Sequence, residues 1–307
     1  MANEARPLSI IYNRQSGFHQ ENSALTDADI IQQFTKHGFD TKTYEIHAYN
    51  SMKMLMQEVI GRHQAYLDQG IVVAAGGDGT LNSVAKYLLH QKIAMGIIPL
   101  GTFNYVARVL KIPIDIEQAI QVIIQGQNKS IHVAQINEEI YLNNASLGLY
   151  PLFIKRREVY NQRFGRFAFH AYSSALDVLI RDRKELKLEI WIDHKKYPVK
   201  TPLIFFGNNQ LQLADLRMRI ADAAEQGKVA GVVVAKSDKV NLFRILFQLI
   251  KGQIDQAKDV YSFSAAHVEI RSKRDTFTVA LDGELVEMHT PLHIRVLKNS
   301  LMVRVPE

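Results

Sequence analysis

The residues best suited to chemistry lie in one run, Ile71-Val-Val-Ala-Ala-Gly-Gly-Asp-Gly-Thr80, where an aliphatic segment gives way to three glycines, a carboxylate and a hydroxyl. Glycine lets a backbone turn sharply and approach a ligand, and the free amides and dipole at the start of a following helix attract phosphate. A carboxylate inside so electropositive a turn has distinct possible uses. Asp78 can cap the helix. It can instead deprotonate an acceptor hydroxyl, or help hold Mg²⁺ beside the phosphates, both of which phosphoryl transfer requires.

The same logic repeats at Gly96-Ile-Ile-Pro-Leu-Gly-Thr-Phe-Asn-Tyr-Val-Ala-Arg108, a strand, a Pro-Gly turn and polar residues that open a helix. Two such turns at one sheet edge form a crevice of the kind that binds ligands, with Thr102 and Asn104 facing it. Capping of the local helix accounts for those two residues equally well. A third turn, Asn13-Arg14-Gln15-Ser16-Gly17, follows the first aliphatic run and would complete the crevice. The expected nucleotide cradle therefore comprises these five residues, then Gly76, Gly77, Gly79, Thr80, Leu81 and Asn82, and finally Thr102 and Asn104.

Neighbouring signatures fail. No G-x-x-x-x-G-K-[ST] is present, and Gly77-x-Gly79-x-x-Asn82 lacks the third glycine of a dinucleotide fingerprint. Asn144-x-Ser146-x-Gly148 lacks the first glycine of a nucleophile elbow. His289 and His293 straddle Pro291 in a strand-like stretch, which argues against the helical zinc pair.

The elements needed to position these turns can be read from periodicity. Strands are expected at Leu8–Tyr12, Thr41–Ile46 and Ile71–Ala75. Helices are expected at Thr26–His37, closed by Gly38, at Ser51–Leu67 and at Leu81–Leu89. That alternation implies a parallel sheet flanked by helices over residues 1–135. Beyond it, Leu186, Leu188, Ile190 and Ile192 alternate with Lys187, Glu189, Trp191 and Asp193 up to a turn at Asp193–Lys196. Further strands at Leu203–Phe206, Val229–Ala235, His267–Arg271 and Phe277–Leu281, with a terminal hairpin at Lys298–Ser300, make 136–307 mostly antiparallel. Helices at Ala168–Arg181 and Val240–Lys251 interrupt it.

The bulk properties narrow the function classes. A chain of 307 residues favours two domains, and 47% hydrophobic residues suffice for two cores. With no cysteine, disulfides, thiolate zinc sites and a cysteine nucleophile are excluded. No run of roughly 18 to 20 apolar residues could span a bilayer, and the N-terminus lacks a signal-peptide core, so a cytoplasmic protein is expected. A net charge of +6 suggests an anionic partner: nucleotide, nucleic acid or acidic lipid.

Taken together, the motifs resemble the diacylglycerol kinase catalytic-domain family, which includes sphingosine and ceramide kinases and bacterial lipid kinases. Gly76-Gly-Asp-Gly-Thr80, Pro99-Leu-Gly-Thr-x-Asn104 with Ala107-Arg108, Asn13-x-x-Ser16-Gly17, Asn143 or Asn144 with Gly148, and Asp282-Gly-Glu284 occur in the family's order. The resemblance implies an α/β lobe that binds ATP with Mg²⁺, similar to NAD kinases and phosphofructokinases, joined to a β-sandwich lobe with the active site between them. It further implies that Asp78 and Glu284 are the catalytic carboxylates. Without it, Asp282-Gly-Glu284 reads as a plain turn between strands. Three departures mark a divergent subgroup: Tyr105 where many members carry Asp, Ser83 where Glu is frequent, and Glu225-Gln-Gly227 in place of an acidic turn that helps bind a structural metal, so no such metal is expected.

A lipid kinase acting at a membrane surface needs a docking segment. Lys155-Arg-Arg157, Arg163 and Arg166, interleaved with Phe153, Tyr160, Phe164, Phe167 and Phe169, combine cations with aromatic anchors. A solvated basic face explains that run as well. Val240–Ile250 is apolar but short, and core packing competes with interfacial docking there. No nucleic-acid recognition module accompanies the basic run, so no nucleic-acid partner is expected. The rival functions are a soluble-substrate kinase of the NAD-kinase type, against which the C-terminal Asp-Gly-Glu stands, and a lipid- or nucleotide-binding regulator that has lost turnover.

Overall fold

The structure, a computed structural model, describes residues 5–13, 27–66, 69–101, 104–149, 151, 185–208, 221–235 and 259–307. They divide into two compact units, 1–133 with 298–307, and 134–297.

The first unit starts with β1 (Arg6–Tyr12), α1 (Asp27–Lys36), β2 (Phe39–Glu45), α2 (Met52–His63), β3 (Ile71–Gly76), α3 (Asp78–Leu88) and β4 (Ala94–Pro99). The short α4 (Tyr105–Val109), α5 (Ile116–Gln125) and β5 (Gln127–Ile136) follow. All pairings are parallel in the order β2-β1-β3-β4, with Val303 of the chain's last strand beside Met95. Alternation along β1 decides how the sheet is covered. Leu8, Ile10 and Tyr12 join Ile30 and Phe34 of α1 and Ile120 and Ile123 of α5 in one core. Ser9, on the opposite face, meets His63 of α2. Both faces are thus covered by helices, as βαβ crossovers demand.

Local signals set most boundaries. The Ser51 side chain accepts from Met54 N at 3.2 Å and so starts α2. Gly38, at φ +79°, ends α1 with its N–H on Thr35 O. Helix α5 was not foreseen; Asp115 caps it by accepting from Gln118 N. Two expectations shift. The helix expected at Leu81–Leu89 starts three residues earlier, so Asp78, Gly79 and Thr80 are helical and the turn itself reduces to Gly77. The α2 helix proper stops at His63 and continues as one 3₁₀ turn, Gln64–Tyr66.

The second unit is an antiparallel sandwich. Its strands are β6 (Glu139–Tyr141), β7 (Asn144–Gly148), β8 (Leu186–Ile192), β9 (Lys195–Thr201) and β10 (Leu203–Gly207). After the short α6 (Ala221–Glu225) come β11 (Val229–Val234), β12 (Val260–Ala265), β13 (His267–Arg271), β14 (Thr276–Leu281), β15 (Glu284–His289) and β16 (Leu292–Val305). One layer has the order β16-β13-β8-β9, and the other β12-β11-β10-β7-β14-β15. Their inward residues, among them Leu188, Ile190, Val268 and Ile294 from one layer and Leu147, Phe206, Val233 and Val279 from the other, fill a shared core. The β8–β9 turn is tighter than expected. Only Asp193 and His194 form it, both at positive φ, the two-residue geometry that suits strand twist.

The expected terminal hairpin at Lys298–Ser300 is absent, because β16 runs unbroken from Leu292 to Val305. Asn299 does take a positive φ of 49°, but its N–H goes to His132 Nδ1 at 3.0 Å, so the chain kinks and continues. The helices expected at Ala168–Arg181 and Val240–Lys251, and the basic-aromatic run 153–169, lie outside the described residues. Among the described residues no helix is long and apolar enough to cross a membrane.

Candidate active site

In the first unit the strand order reverses between β1 and β3: β1 connects outward to β2, and β3 to β4 on the other side. Ligands of open α/β sheets bind outside the carboxyl ends of strands at such a point. The residues that follow β1, β3 and β4 are Asn13, Gly77–Asp78 and Leu100–Gly101. They are tied together. Asn13 donates its backbone N–H to Ala75 O and its side-chain amide to Thr80 Oγ1 at 3.2 Å, and Leu100 N donates to Gly76 O at 2.9 Å.

Glycine is required where the β3 and β4 turns meet. A Cβ on Gly101 would stand 2.6 Å from Gly77 Cα and 2.8 Å from Asn104 Oδ1, and one on Gly76 would strike Thr80 Oγ1. Between Gly101 and Gly77 backbone meets backbone, which cannot yield as a side chain does. Asn104, buried in the left-handed conformation, closes its turn on itself: Oδ1 accepts from Gly101 N at 2.9 Å and Nδ2 donates to Gly101 O at 2.8 Å.

Asp78 caps a helix, although not its own. Its Oδ2 accepts from Tyr105 N at 3.3 Å and its Oδ1 from Val106 N at 3.2 Å, so it closes the start of α4. Residue 77, the N-cap of α3, brings no side-chain oxygen, and the first helical bond is Leu81 N to Gly77 O. The amides of Asp78, Gly79 and Thr80 are therefore left without intrahelical partners, which is the arrangement that receives an anion. Leu81 is fully buried and Ser83 donates its hydroxyl to Gly79 O, so both serve α3 itself.

A second carboxylate clasp stands in the second unit. Asp282 and Gly283, both at positive φ, form the two-residue turn between β14 and β15. Asp282 Oδ2 accepts from Leu142 N at 2.7 Å, and Oδ1 from Asn143 N at 2.8 Å and Asn144 N at 2.9 Å. One side chain thereby fixes the bend between β6 and β7. Glu284, the first residue of β15, is exposed, and among the described residues its carboxylate is assigned no ion pair or hydrogen bond.

Of the expected site residues, Asn13, Gly76, Gly77, Asp78, Gly79, Thr80 and Asn104 meet at this sheet edge and Leu81 and Asn82 follow within α3, whereas Arg14, Gln15, Ser16, Gly17 and Thr102 lie outside the described residues. Gly101 and the clasp role of Asp282 were missed. The Pro-Leu-Gly turn after β4 signals the first, because a second turn beside Gly77 must also lack a side chain.

Residues 7–136 match the diacylglycerol kinase catalytic domain. Two Staphylococcus aureus proteins named diacylglycerol kinase, from strains bovine RF122 / ET3-1 and MRSA252, are each 28% identical over 279 residues, covering 90% of this chain and 85% of theirs. Over these residues the chain is similar to the diacylglycerol kinase catalytic-domain family. A crystal structure of a diacylglycerol kinase from Bacillus anthracis str. Sterne shares its fold, with TM-score 0.70, 20% identity and coverage of 99% of this chain and 98% of that one. The helix-flanked parallel sheet and the antiparallel sandwich agree with the fold class expected from the sequence.

Proposed function

We propose that this protein is a lipid kinase that transfers the γ-phosphoryl group of ATP, with Mg²⁺, to a lipid hydroxyl, diacylglycerol or a related lipid being the acceptor. The likeness of residues 7–136 to the diacylglycerol kinase catalytic domain, and of most of the chain to proteins named diacylglycerol kinase, supports the kinase and lipid parts of the reading. The observation that carries the nucleotide part is the close approach of Gly77 and Gly101 beside the uncapped start of α3.

The residues present fit a polyphosphate. The space a side chain would take at Gly76, Gly77 and Gly101 is already at contact distance, which leaves only backbone to line the turns. The amides of Asp78, Gly79 and Thr80 provide donors, and the Asn13–Thr80 bond holds the first and second turns in register. Bound ATP and Mg²⁺ supply the transferable group and the charge that offsets it. Asp78 fixes the β4 turn against α3 through two amides and keeps acceptor positions open, since a carboxylate offers about four. Glu284, exposed and uncommitted, is the carboxylate suited to accept the proton of an incoming hydroxyl. Catalysis on this reading is mostly positioning and charge stabilisation.

The test is ATP consumption and radiolabelled phosphate transfer in detergent-lipid mixed micelles with diacylglycerol, ceramide, sphingosine and NAD as acceptors. Labelled lipid phosphate is the expected product. Label in NADP alone, or nucleotide binding without transfer to any acceptor, overturns the proposal.

A further inference from the structure

The outer face of the sandwich layer β16-β13-β8-β9 has a charge pattern that the proposed chemistry leaves unused. Leu186, Leu188 and Ile190 of β8 and Val268 and Ile270 of β13 point into the core, so the alternate residues point out. The outward set holds five cations, Lys187, Lys196, Lys200, Arg271 and Arg295, against the carboxylates Glu189 and Glu269. Both carboxylates are already taken: Glu189 pairs with Lys196 at 2.8 Å and Glu269 with Arg271.

Two of the remaining cations are arranged against the interest of the fold. Lys187 and Lys200 are direct cross-strand partners, both exposed. Arg295, opposite His267, donates from Nε to the neutral amide oxygen of Gln135 at 2.8 Å. Like charges set directly opposite destabilise a sheet, as at Lys187 and Lys200, whereas Arg271 stands opposite Glu189. An anionic surface laid on these strands reverses the sign of that contribution. At the centre stands Trp191, the chain's one tryptophan, with Lys196 5.9 Å and Arg271 5.2 Å from its ring centroid. An indole among cations is the composition that settles at lipid headgroup level.

We propose that this sheet face docks on a bilayer carrying anionic headgroups, with Trp191 at the level of the headgroups. The choice of a bilayer over another polyanion rests on the lipid-kinase reading. It is a different surface from the basic-aromatic run at 153–169.

Trp191 makes the test direct, since all tryptophan emission comes from this face. Vesicles of phosphatidylcholine and phosphatidylglycerol that contain a lipid with a nitroxide quencher on its headgroup are titrated into the wild-type protein. Quenching that is reversed by salt and absent with phosphatidylcholine alone is the expected result. The Lys187→Glu, Lys200→Glu, Arg295→Glu triple variant should bind the anionic vesicles about a hundredfold more weakly or worse, at about 1 kcal/mol for each cation removed. Its phosphate transfer to a dispersed lipid in detergent micelles should remain at the wild-type rate. Vesicle binding without quenching, unchanged binding by the triple variant, or quenching by an oligonucleotide and not by anionic vesicles overturns the proposal. Docking in a protein that transfers no phosphate would sink the kinase reading alone; transfer without docking would sink this inference alone.

Discussion

Asp78 and Asp282 do the same physical job in differently built surroundings. Each spends both carboxylate oxygens on backbone amides of another segment: Tyr105 and Val106 for Asp78, and Leu142, Asn143 and Asn144 for Asp282. Asp282 does so from a left-handed hairpin turn with three bonds of 2.7 to 2.9 Å, and Asp78 from the first turn of a helix with two bonds of 3.2 and 3.3 Å. The shorter, more numerous bonds mark the stiffer clasp, because charge-assisted bonds strengthen as they shorten. In both places the group left open is a neighbour, the α3 amides in one and Glu284 in the other. On the proposed reading, an acidic residue in such a motif is structural while the residue beside it meets the ligand.

The largest effect should come from breaking the stiffer clasp. Asp282→Ala strands three amides next to the buried Asn143 and Asn144, and should cost about 3–5 kcal/mol by denaturant unfolding. A loss no greater than that of an exposed substitution would show that water replaces the carboxylate. In the first unit, Gly101→Ala forces a Cβ to 2.6 Å from Gly77 Cα, and overpacking of this kind should cost about 1–3 kcal/mol. Calorimetric titration should find ATP affinity reduced more than the stability loss alone explains. Equal ATP affinity would remove the two-turn contact from the binding account.

These features differ in how legible they are in the sequence. The placement of Asp78, Asn13 and Asn104 at one sheet edge was readable because each follows a buried strand in or beside a glycine turn. The sandwich strands were readable from the alternation of residues such as Leu186, Leu188 and Ile190 with Lys187 and Glu189. The amide partners of Asp78 and Asp282 were not, since they lie 27 and 28 residues away in one case and 138 to 140 in the other, and no local pattern encodes such pairings. Lys298–Ser300 misled for a related reason. Asn299 has the turn backbone that its type favours, but the long-range bond to His132 decides that the strand continues. The face around Trp191 was visible as an amphipathic strand only; which cations stand opposite one another depends on register.

A buried histidine sharpens the contrast between carboxylates and other buried polar groups. His63 is fully buried, its Nε2 is 3.0 Å from Ser9 Oγ, and burial followed by the nearby Arg62 charge pushes its pKa down to about 4. Between pH 4 and the ordinary value of 6.5 the unfolded chain binds a proton that the folded protein excludes, so stability falls as pH drops through that window and is level above it. The expected loss from pH 7 to pH 5 is about 2 kcal/mol, flattened in His63→Gln. A slope identical in the two proteins would place the proton elsewhere. The smallest effect is expected at Ser83, whose hydroxyl only back-bonds to Gly79 O. Ser83→Ala should leave turnover unchanged and stability within about 0.5 kcal/mol; a tenfold loss of rate would give this residue a role at the phosphates.

The division of labour between clasp and open carboxylate is tested most directly by measuring ATP affinity and lipid-phosphate formation side by side in Asp78→Asn and Glu284→Gln. The account predicts that Asp78→Asn loses both, because the β4 turn is no longer held to α3, and that Glu284→Gln binds ATP like the wild type yet forms almost no product. Full product formation by Glu284→Gln, or undiminished ATP affinity in Asp78→Asn, would contradict it.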